Sequence, residues 1–253
     1  MNEIFTGVGV ALVTLFTDDG EVDVNATTEL AAKIVGEGVT SVVVGGTTGE
    51  AAALTSAERA ELVRSIKSAV TVPVISGTGA ASGRQAAAQT RDSVAAGADA
   101  VLVLSPPRVA DPSAYYQAVA TELDGTPMLA YHFPAVSAPG IEIGLLGSLP
   151  IVGLKDSTGD PRRLLQTMES FDGAIYSGAS PLTLYAGALG LPGMILAVAN
   201  CRPAEAVAAF NGDVSAQRAL TDADRIASGE FPTGIKTLTA EAFGTSTVAR
   251  LGH

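Results

Sequence analysis

The chain has 253 residues, of which 47% are hydrophobic and 16% charged, and its net charge is −11 with an isoelectric point near 4.5. This acidic balance argues against a nucleic-acid partner, which needs clustered lysine and arginine to neutralise phosphates. The apolar runs are far shorter than the roughly 20 residues of a membrane-spanning helix, and residues 1–7 lack the pattern of a secretory signal. We therefore expect a folded, cytoplasmic protein without a membrane segment. The acidic surface is also typical of a halophilic source.

The chain has few residues that could bind a metal or form a disulfide: one cysteine and two histidines. A single cysteine, Cys201, allows neither an intramolecular disulfide nor a thiolate cluster and is expected to be a small buried side chain. We do not expect the two histidines, His132 and His253, to form a metal site. We predict no metal site.

Short apolar runs alternate along the chain with longer segments of helical periodicity, which predicts βα units around a parallel sheet. Eight such runs are candidate strands. In chain order they are Val8–Phe16, Ser41–Gly46, Val72–Gly77, Ala100–Ser105, Met128–Phe133, Ile151–Lys155, Ala174–Gly178 and Met194–Ala199. Eight parallel strands are the number that closes a (β/α)8 barrel, the TIM barrel.

Helical signals fit this α/β arrangement. Residues 57–70 carry apolar side chains at helical spacing, and Thr55 with Glu58 forms a capping-box signature just before them. After the eighth strand, Pro203–Phe210 and Ala216–Ile226 have helical patterns, and no linker divides the chain. We predict one domain, with residues 1–200 as the barrel core and residues 201–253 as the final barrel helix and a short C-terminal helical extension.

Barrel enzymes place their active sites at the carboxyl ends of the strands. Lys155 ends the apolar run 151–154, where partial desolvation favours the neutral, nucleophilic amine that imine formation requires. A lysine that reaches solvent at the rim or pairs with Asp156 is an equally good interpretation of this context. Asp156 should point to the opposite face from Lys155 and His132 to the opposite face from Tyr131, so we expect structural roles for both.

Two other strand ends carry polar groups. Tyr131 ends the fifth strand, where its phenol is either a general acid and base or an aromatic of the barrel interior. After the second strand, the turn Gly45–Glu50 offers backbone N–H groups and the hydroxyls of Thr47 and Thr48. Such a turn suits a carboxylate or phosphate, although ordinary turn chemistry explains it as well.

Taken together, four segments resemble the dihydrodipicolinate synthase and N-acetylneuraminate lyase family of class I pyruvate aldolases. They are GGTTGE at 45–50, YHFP at 131–134, GLKDST at 153–158 and the pair Ser177-Gly178. The resemblance spans nearly the whole chain. It implies a TIM barrel that acts on a 2-keto acid, usually as a homodimer or homotetramer, with no metal or organic cofactor.

The resemblance also implies a role for each matched residue. Lys155 would form the imine with pyruvate, and Tyr131 would move protons during imine formation and carbon–carbon bond chemistry. Thr47 and Thr48 would hold the pyruvate carboxylate, with Thr47 also relaying a proton to Tyr131. Two further positions, Gly178 and Ile195, would line the bound imine.

Two departures from the synthase pattern bear on the second substrate. Val136 stands where the synthases carry an arginine that binds a substrate carboxylate, and Ser105–Arg108 replaces a pair of tyrosines. Val136 argues against lysine biosynthesis, and the change at Ser105–Arg108 removes the tyrosine relay that the synthases form across a subunit interface. The segment Tyr131–Gly140 is more similar to the archaeal 2-keto-3-deoxygluconate aldolase branch, which has small residues in place of that arginine. Arg108 would then bind a distal phosphate, unless it is a solvated loop residue.

We therefore expect cleavage of 2-keto-3-deoxygluconate or its 6-phosphate to pyruvate and glyceraldehyde or its 3-phosphate, a reaction of the Entner–Doudoroff pathway. One alternative is 4-hydroxy-tetrahydrodipicolinate synthase itself, which condenses pyruvate with aspartate semialdehyde. Another is a barrel that binds a keto acid without turnover. The joint presence of Lys155, Tyr131 and Thr47 speaks against a non-catalytic protein, because binding alone needs no nucleophile.

Overall fold

The computed structural model describes residues 3–251, and over this range eight parallel strands close into a barrel in chain order. The predicted (β/α)8 fold is confirmed. β1 pairs with both β2 and β8, which closes the ring. The strands are β1 Gly7–Ala11, β2 Ser41–Val44, β3 Val74–Thr78, β4 Ala100–Leu104, β5 Met128–His132, β6 Gly153–Asp156, β7 Ala174–Ser177 and β8 Gly193–Leu196.

Helices cover the outside of the barrel. They are α1 Val24–Gly36, α2 Ser56–Ala69, α3 Gly83–Ala95, α4 Ser113–Ala120, α5 Pro161–Ser170, α6 Thr183–Ala188, α7 Pro203–Phe210, α8 Val214–Gly229 and α9 Thr233–Phe243. The predicted capping box is present at α2: the Glu58 N–H donates to Thr55 Oγ1 at 3.2 Å, and the Thr55 N–H donates to Glu58 Oε2 at 2.8 Å. Both orphan donors at this helix start are thus satisfied.

The first and last strands are shorter than predicted. β1 ends at Ala11 rather than Phe16, because the chain leaves the sheet and the Val13 N–H donates to the side chain of Asn200 at 3.0 Å. β8 ends at Leu196, and Val198–Asn200 forms a 3₁₀ turn instead of a continued strand. Asn200 also donates to the Ala11 carbonyl at 2.7 Å, so one side chain terminates both strands.

The barrel interior is apolar and is closed at the amino ends of the strands. Ile75, Leu102, Leu129 and Ile195 are at most 2% exposed. Tyr176 stacks on Phe5 with ring centres 4.6 Å apart, and its hydroxyl donates to the Phe5 carbonyl at 3.0 Å. Because this end is plugged, the interior opens only towards the carboxyl ends of the strands.

Helices α7 and α8 form over the segments predicted to be helical, 203–210 and 216–226, and α9 adds a helix that the sequence patterns did not indicate. None of the described helices is long and apolar enough to cross a membrane. Across residues 3–251, no group of three or more His, Cys, Asp or Glu side chains is arranged to hold a metal ion. His253 lies outside the described residues.

Candidate active site

Lys155 and Tyr131 face each other on adjacent strands. In the pairing of β5 with β6, Tyr131 lies opposite Lys155 and His132 lies opposite Asp156. Successive side chains on a strand point to opposite faces, so one pair enters the barrel and the other leaves it. Lys155 Nζ lies 4.4 Å from the centre of the Tyr131 ring, and both residues are only 5% exposed. An amine and a phenol are therefore held together in a largely dry setting.

These two residues line a cavity of about 520 Å³ at the carboxyl ends of the strands. Six of the seven residues predicted for the site line it: Thr47, Thr48, Tyr131, Lys155, Gly178 and Ile195. A cavity of this size suits a small-molecule substrate. Two wider depressions, of about 660 and 730 Å³, lie elsewhere on the described part of the chain, and neither is lined by a lysine or a tyrosine.

Gly178 leaves room for the stem of Lys155. A Cβ atom at Gly178 would lie 2.7 Å from Lys155 Cε and would also collide with the hydroxyl of Ser157. The glycine after β7 thus allows the close approach that keeps Lys155 directed into the cavity.

The threonine turn is held from beneath by a buried arginine. Arg59, on α2 and only 2% exposed, donates through Nη1 to the carbonyls of Gly45 and Gly77 at 2.6 and 2.7 Å. Its Nη2 donates to the Ala51 carbonyl at 3.1 Å. These contacts tie both ends of the turn to β3, so Thr47 and Thr48 are presented on a rigid support.

Glu50 anchors the same turn to the C-terminal segment. Its carboxylate is fully buried and lies 2.5 Å from Lys236 Nζ, which is also fully buried. The N–H groups of Arg250 and Leu251 donate to the other carboxylate oxygen, each at 2.8 Å. Burial lowers the pKa of Lys236, and the hydrogen bond and charge of Glu50 oppose that fall. Sequence patterns identified Glu50 only as the last residue of the turn Gly45–Glu50. Its ion pair was not predictable, because Lys236 lies 186 positions away.

His132 and Asp156 point away from the cavity, as predicted, and have structural partners. The Ile141 N–H donates to His132 Nδ1 at 2.8 Å. Burial, followed by the charge of Arg163, lowers the pKa of His132 to about 4. Asp156 accepts from Arg163 Nε at 2.8 Å and from the Thr158 hydroxyl at 2.6 Å. Neither residue is available to a substrate.

Arg108 is the predicted site residue that the structure does not bring to the cavity. It is exposed on the loop after β4, with a left-handed φ of 63°, and its backbone N–H donates to the Ala138 carbonyl at 2.7 Å. Val136, 51% exposed, lines the cavity at the position where an arginine would have supplied a cation.

Sequence reasoning missed the side of the cavity that comes from outside the barrel. Asp224 and Ser228 on α8, together with Phe231 on the loop to α9, line the cavity opposite the strand ends. Residues four apart share one face of a helix, so the first two project together. An amphipathic helix gives no signal that one of its polar residues faces a substrate, which is why these positions carried no prediction.

A family model described as the dihydrodipicolinate synthetase family matches residues 4–228. The chain belongs to this family. It is an enzyme of the class I pyruvate aldolase superfamily, whose members are lyases, which favours a catalytic protein over the non-catalytic alternative.

Two of the relatives are 4-hydroxy-tetrahydrodipicolinate synthases. The 4-hydroxy-tetrahydrodipicolinate synthase of Bifidobacterium longum (strain DJO10A) is 34% identical over 224 residues, which cover 84% of this chain and 74% of that one. The synthase of Methanosarcina mazei is 32% identical over 232 residues, which cover 86% and 79%.

Solved structures show the same fold. Dihydrodipicolinate synthase DapA-2 from Bacillus anthracis superposes with a TM-score of 0.88 at 30% identity, covering 98% of this chain and 91% of that one. A prophage protein of the dihydrodipicolinic acid synthase family from E. coli K12, solved in complex with pyruvate, gives a TM-score of 0.89 at 26% identity, with 98% and 92% covered.

The prediction of a 2-keto-3-deoxy-(6-phospho)gluconate aldolase is therefore wrong. The relatives above are named as synthases, whereas KD(P)GA from T. tenax, with a TM-score of 0.87, is only 24% identical and shares the fold alone. Neither the Entner–Doudoroff pathway nor adaptation to high salt finds support among these relatives. The structure gives a physical reason for the error, because the cation expected to bind a phosphate, Arg108, does not line the cavity.

Proposed function

We propose that this protein is a 4-hydroxy-tetrahydrodipicolinate synthase, in which Lys155 forms an imine with pyruvate and the resulting enamine condenses with aspartate semialdehyde. The observation that carries the imine step is the buried amine of Lys155, 4.4 Å from the ring centre of Tyr131 in a cavity at the strand ends. The choice of acceptor is supported by the names of the relatives.

The chemistry proposed for Lys155 follows from the properties of an imine. The Lys155 amine attacks the keto carbon of pyruvate, and water leaves as the C=N bond forms. The protonated imine is an electron sink, so the methyl group of pyruvate loses a proton and becomes an enamine carbon. That carbon attacks the aldehyde carbon of the acceptor, and the aldehyde oxygen takes up a proton to become a hydroxyl.

The acceptor also carries the group that releases the enzyme. The amine of aspartate semialdehyde attacks the imine carbon within the same adduct, displaces the Lys155 amine and closes a six-membered ring. The ammonium group of aspartate semialdehyde loses a proton before this attack, so the overall reaction releases that proton and the water lost at the first step, and the atoms balance. Product release by an intramolecular amine is favoured over hydrolysis, because the nucleophile is already held close to the imine carbon.

We assign the remaining cavity residues by their position. The hydroxyls of Thr47 and Thr48 line the cavity on the rigid turn and suit the pyruvate carboxylate. Tyr131, across β5–β6 from Lys155, is placed to move protons to and from the imine. Gly178 and Ile195 complete the wall around the bound keto acid.

Reductive trapping tests the imine. Incubation with pyruvate and borohydride should attach a reduced adduct to Lys155, located by peptide mass mapping. Lys236 is the internal control, because it is buried and held by Glu50. An adduct at Lys236, or no adduct in an active preparation, would refute the assignment. Tyr131→Phe should fold and lower turnover by roughly 100-fold to 10,000-fold, and near wild-type turnover would remove the phenol from the mechanism.

A substrate panel tests the acceptor. The protein should consume aspartate semialdehyde and pyruvate together. Pyruvate trapping on Lys155 without consumption of aspartate semialdehyde would keep the imine chemistry and refute the synthase assignment.

A further inference from the structure

Asp224 is the acidic group of the cavity that the imine chemistry does not use. Among residues 3–251, only Lys155 and Asp224 carry charged side chains on the cavity wall, and no arginine or histidine lines it. Asp224 comes from α8, outside the barrel, whereas Lys155 comes from β6. The cavity therefore has a nucleophilic amine on the strand side and a carboxyl group on the helix side.

The Asp224 carboxyl group is partly shielded from solvent. Asp224 is half-buried, and burial raises its pKa, while a hydrogen bond from the side chain of Ser180 opposes that rise. Ser180 is itself only 2% exposed and also lines the cavity. In the described part of the chain Asp224 takes part in no ion pair. A partly desolvated carboxylate without a cationic partner is stabilised when a cation binds beside it.

This charge pattern constrains the acceptor. Once pyruvate occupies Lys155, the remaining charged group on the cavity wall is negative. A phosphate placed beside Asp224 would be repelled, whereas an ammonium group placed there would be attracted. Aspartate semialdehyde carries such an ammonium group next to its carboxylate, while its aldehyde must reach the enamine.

We propose that Asp224 is a specificity-determining residue that binds the α-ammonium group of the acceptor aldehyde. This inference rests on the proposed synthase function and adds the residue that selects an amino-aldehyde over an aldehyde without the amine. It also accounts for a cavity that has Val136 in place of a cation, since the acceptor is recognised at its ammonium group.

The test compares two aldehydes that differ only in the amine. Asp224→Asn should lower kcat/KM for aspartate semialdehyde by roughly 10-fold to 100-fold, the range of a charge-assisted contact. The inhibition constant of succinic semialdehyde, which lacks the ammonium group, should not rise. Asp224→Glu should restore part of the lost kcat/KM, because it keeps the charge. Pyruvate KM and borohydride trapping at Lys155 should stay unchanged in both variants.

Asp222→Asn is the matched control, because it removes the same charge from an exposed position on the same helix. Asp222→Asn should leave kcat/KM for aspartate semialdehyde unchanged. The Asp224 assignment is overturned if Asp224→Asn weakens the binding of both aldehydes equally. It is also overturned if Asp222→Asn lowers kcat/KM for aspartate semialdehyde as much as Asp224→Asn does. In both cases the synthase function stands. If the wild-type protein traps pyruvate but does not consume aspartate semialdehyde, the synthase function fails and this inference fails with it.

Discussion

Replacing Lys236 by methionine should destabilise the fold strongly, although Lys236 is not in the cavity. Its ammonium group lies 2.5 Å from Glu50, and both side chains are fully buried. The substitution keeps most of the aliphatic stem and removes the charge. Glu50 would retain the N–H donors of Arg250 and Leu251 but would lose its counter-charge in a site that water does not reach.

Breaking a buried ion pair by removing one partner costs about 3–5 kcal/mol, a large part of the roughly 5–15 kcal/mol that stabilises a typical domain. Glu50→Gln should cost less, because the amide oxygen still accepts hydrogen bonds and burial already lowers the pKa of Lys236, which helps it to become neutral. The double variant, with both Lys236→Met and Glu50→Gln, should be more stable than the sum of the two single effects predicts, because neither charge then remains buried without its partner.

Urea unfolding at neutral pH measures these free energies, and Lys33→Met on the exposed face of α1 is the control. That variant should stay within about 0.5 kcal/mol of the wild type. A loss below about 1 kcal/mol for Lys236→Met, or strict additivity in the double variant, would refute the argument that this pair anchors the turn.

Two further substitutions test the cavity wall and the outward face of β5. Gly178→Ala places a methyl group against Lys155 Cε and the Ser157 hydroxyl, so turnover should fall on the order of 100-fold and overpacking should cost about 1–3 kcal/mol of stability; unchanged rates of turnover and borohydride trapping would contradict the close approach. His132 has a folded-state pKa of about 4, below the unfolded value of about 6.5, so its contribution to stability is complete above pH 6.5 and is lost as pH falls towards 4. His132→Asn keeps an acceptor for the Ile141 N–H and does not titrate, so its unfolding free energy should fall by about 3 kcal/mol less than that of the wild type over this interval. Equal pH dependence in the two proteins would contradict the assigned shift.

The fold was predictable because its signal is local. Each strand is a short apolar run followed by a helical segment, and eight repeats leave few alternatives to a closed barrel. The ends of β1 and β8 were not predictable, because they depend on Asn200, whose amide group contacts Val13 and Ala11 across the barrel seam. Apolar residues continue past both strand ends in the sequence. The apolar pattern therefore predicts strands that extend beyond the last hydrogen bonds of the sheet.

The two halves of the cavity differ in how much the sequence reveals. The proposed pyruvate half is built from strand ends, where Lys155, Tyr131 and Thr47 interrupt apolar runs and therefore stand out. The other half is contributed by α8 and the following loop, where Asp224 is one polar residue among many on an amphipathic helix. Only the docking of that helix on the barrel shows which of its polar residues face a substrate.

The same asymmetry explains why the predicted second substrate was wrong. The aldolase prediction relied on one missing arginine, at Val136, and on one arginine assumed to replace it, Arg108. A missing side chain shows that one contact is lost, but it does not show what the cavity uses instead. The structure leaves Arg108 outside the cavity and brings the carboxyl group of Asp224 to its wall, which reverses the charge expected there. An acceptor with an ammonium group fits that sign, whereas a sugar-acid phosphate does not.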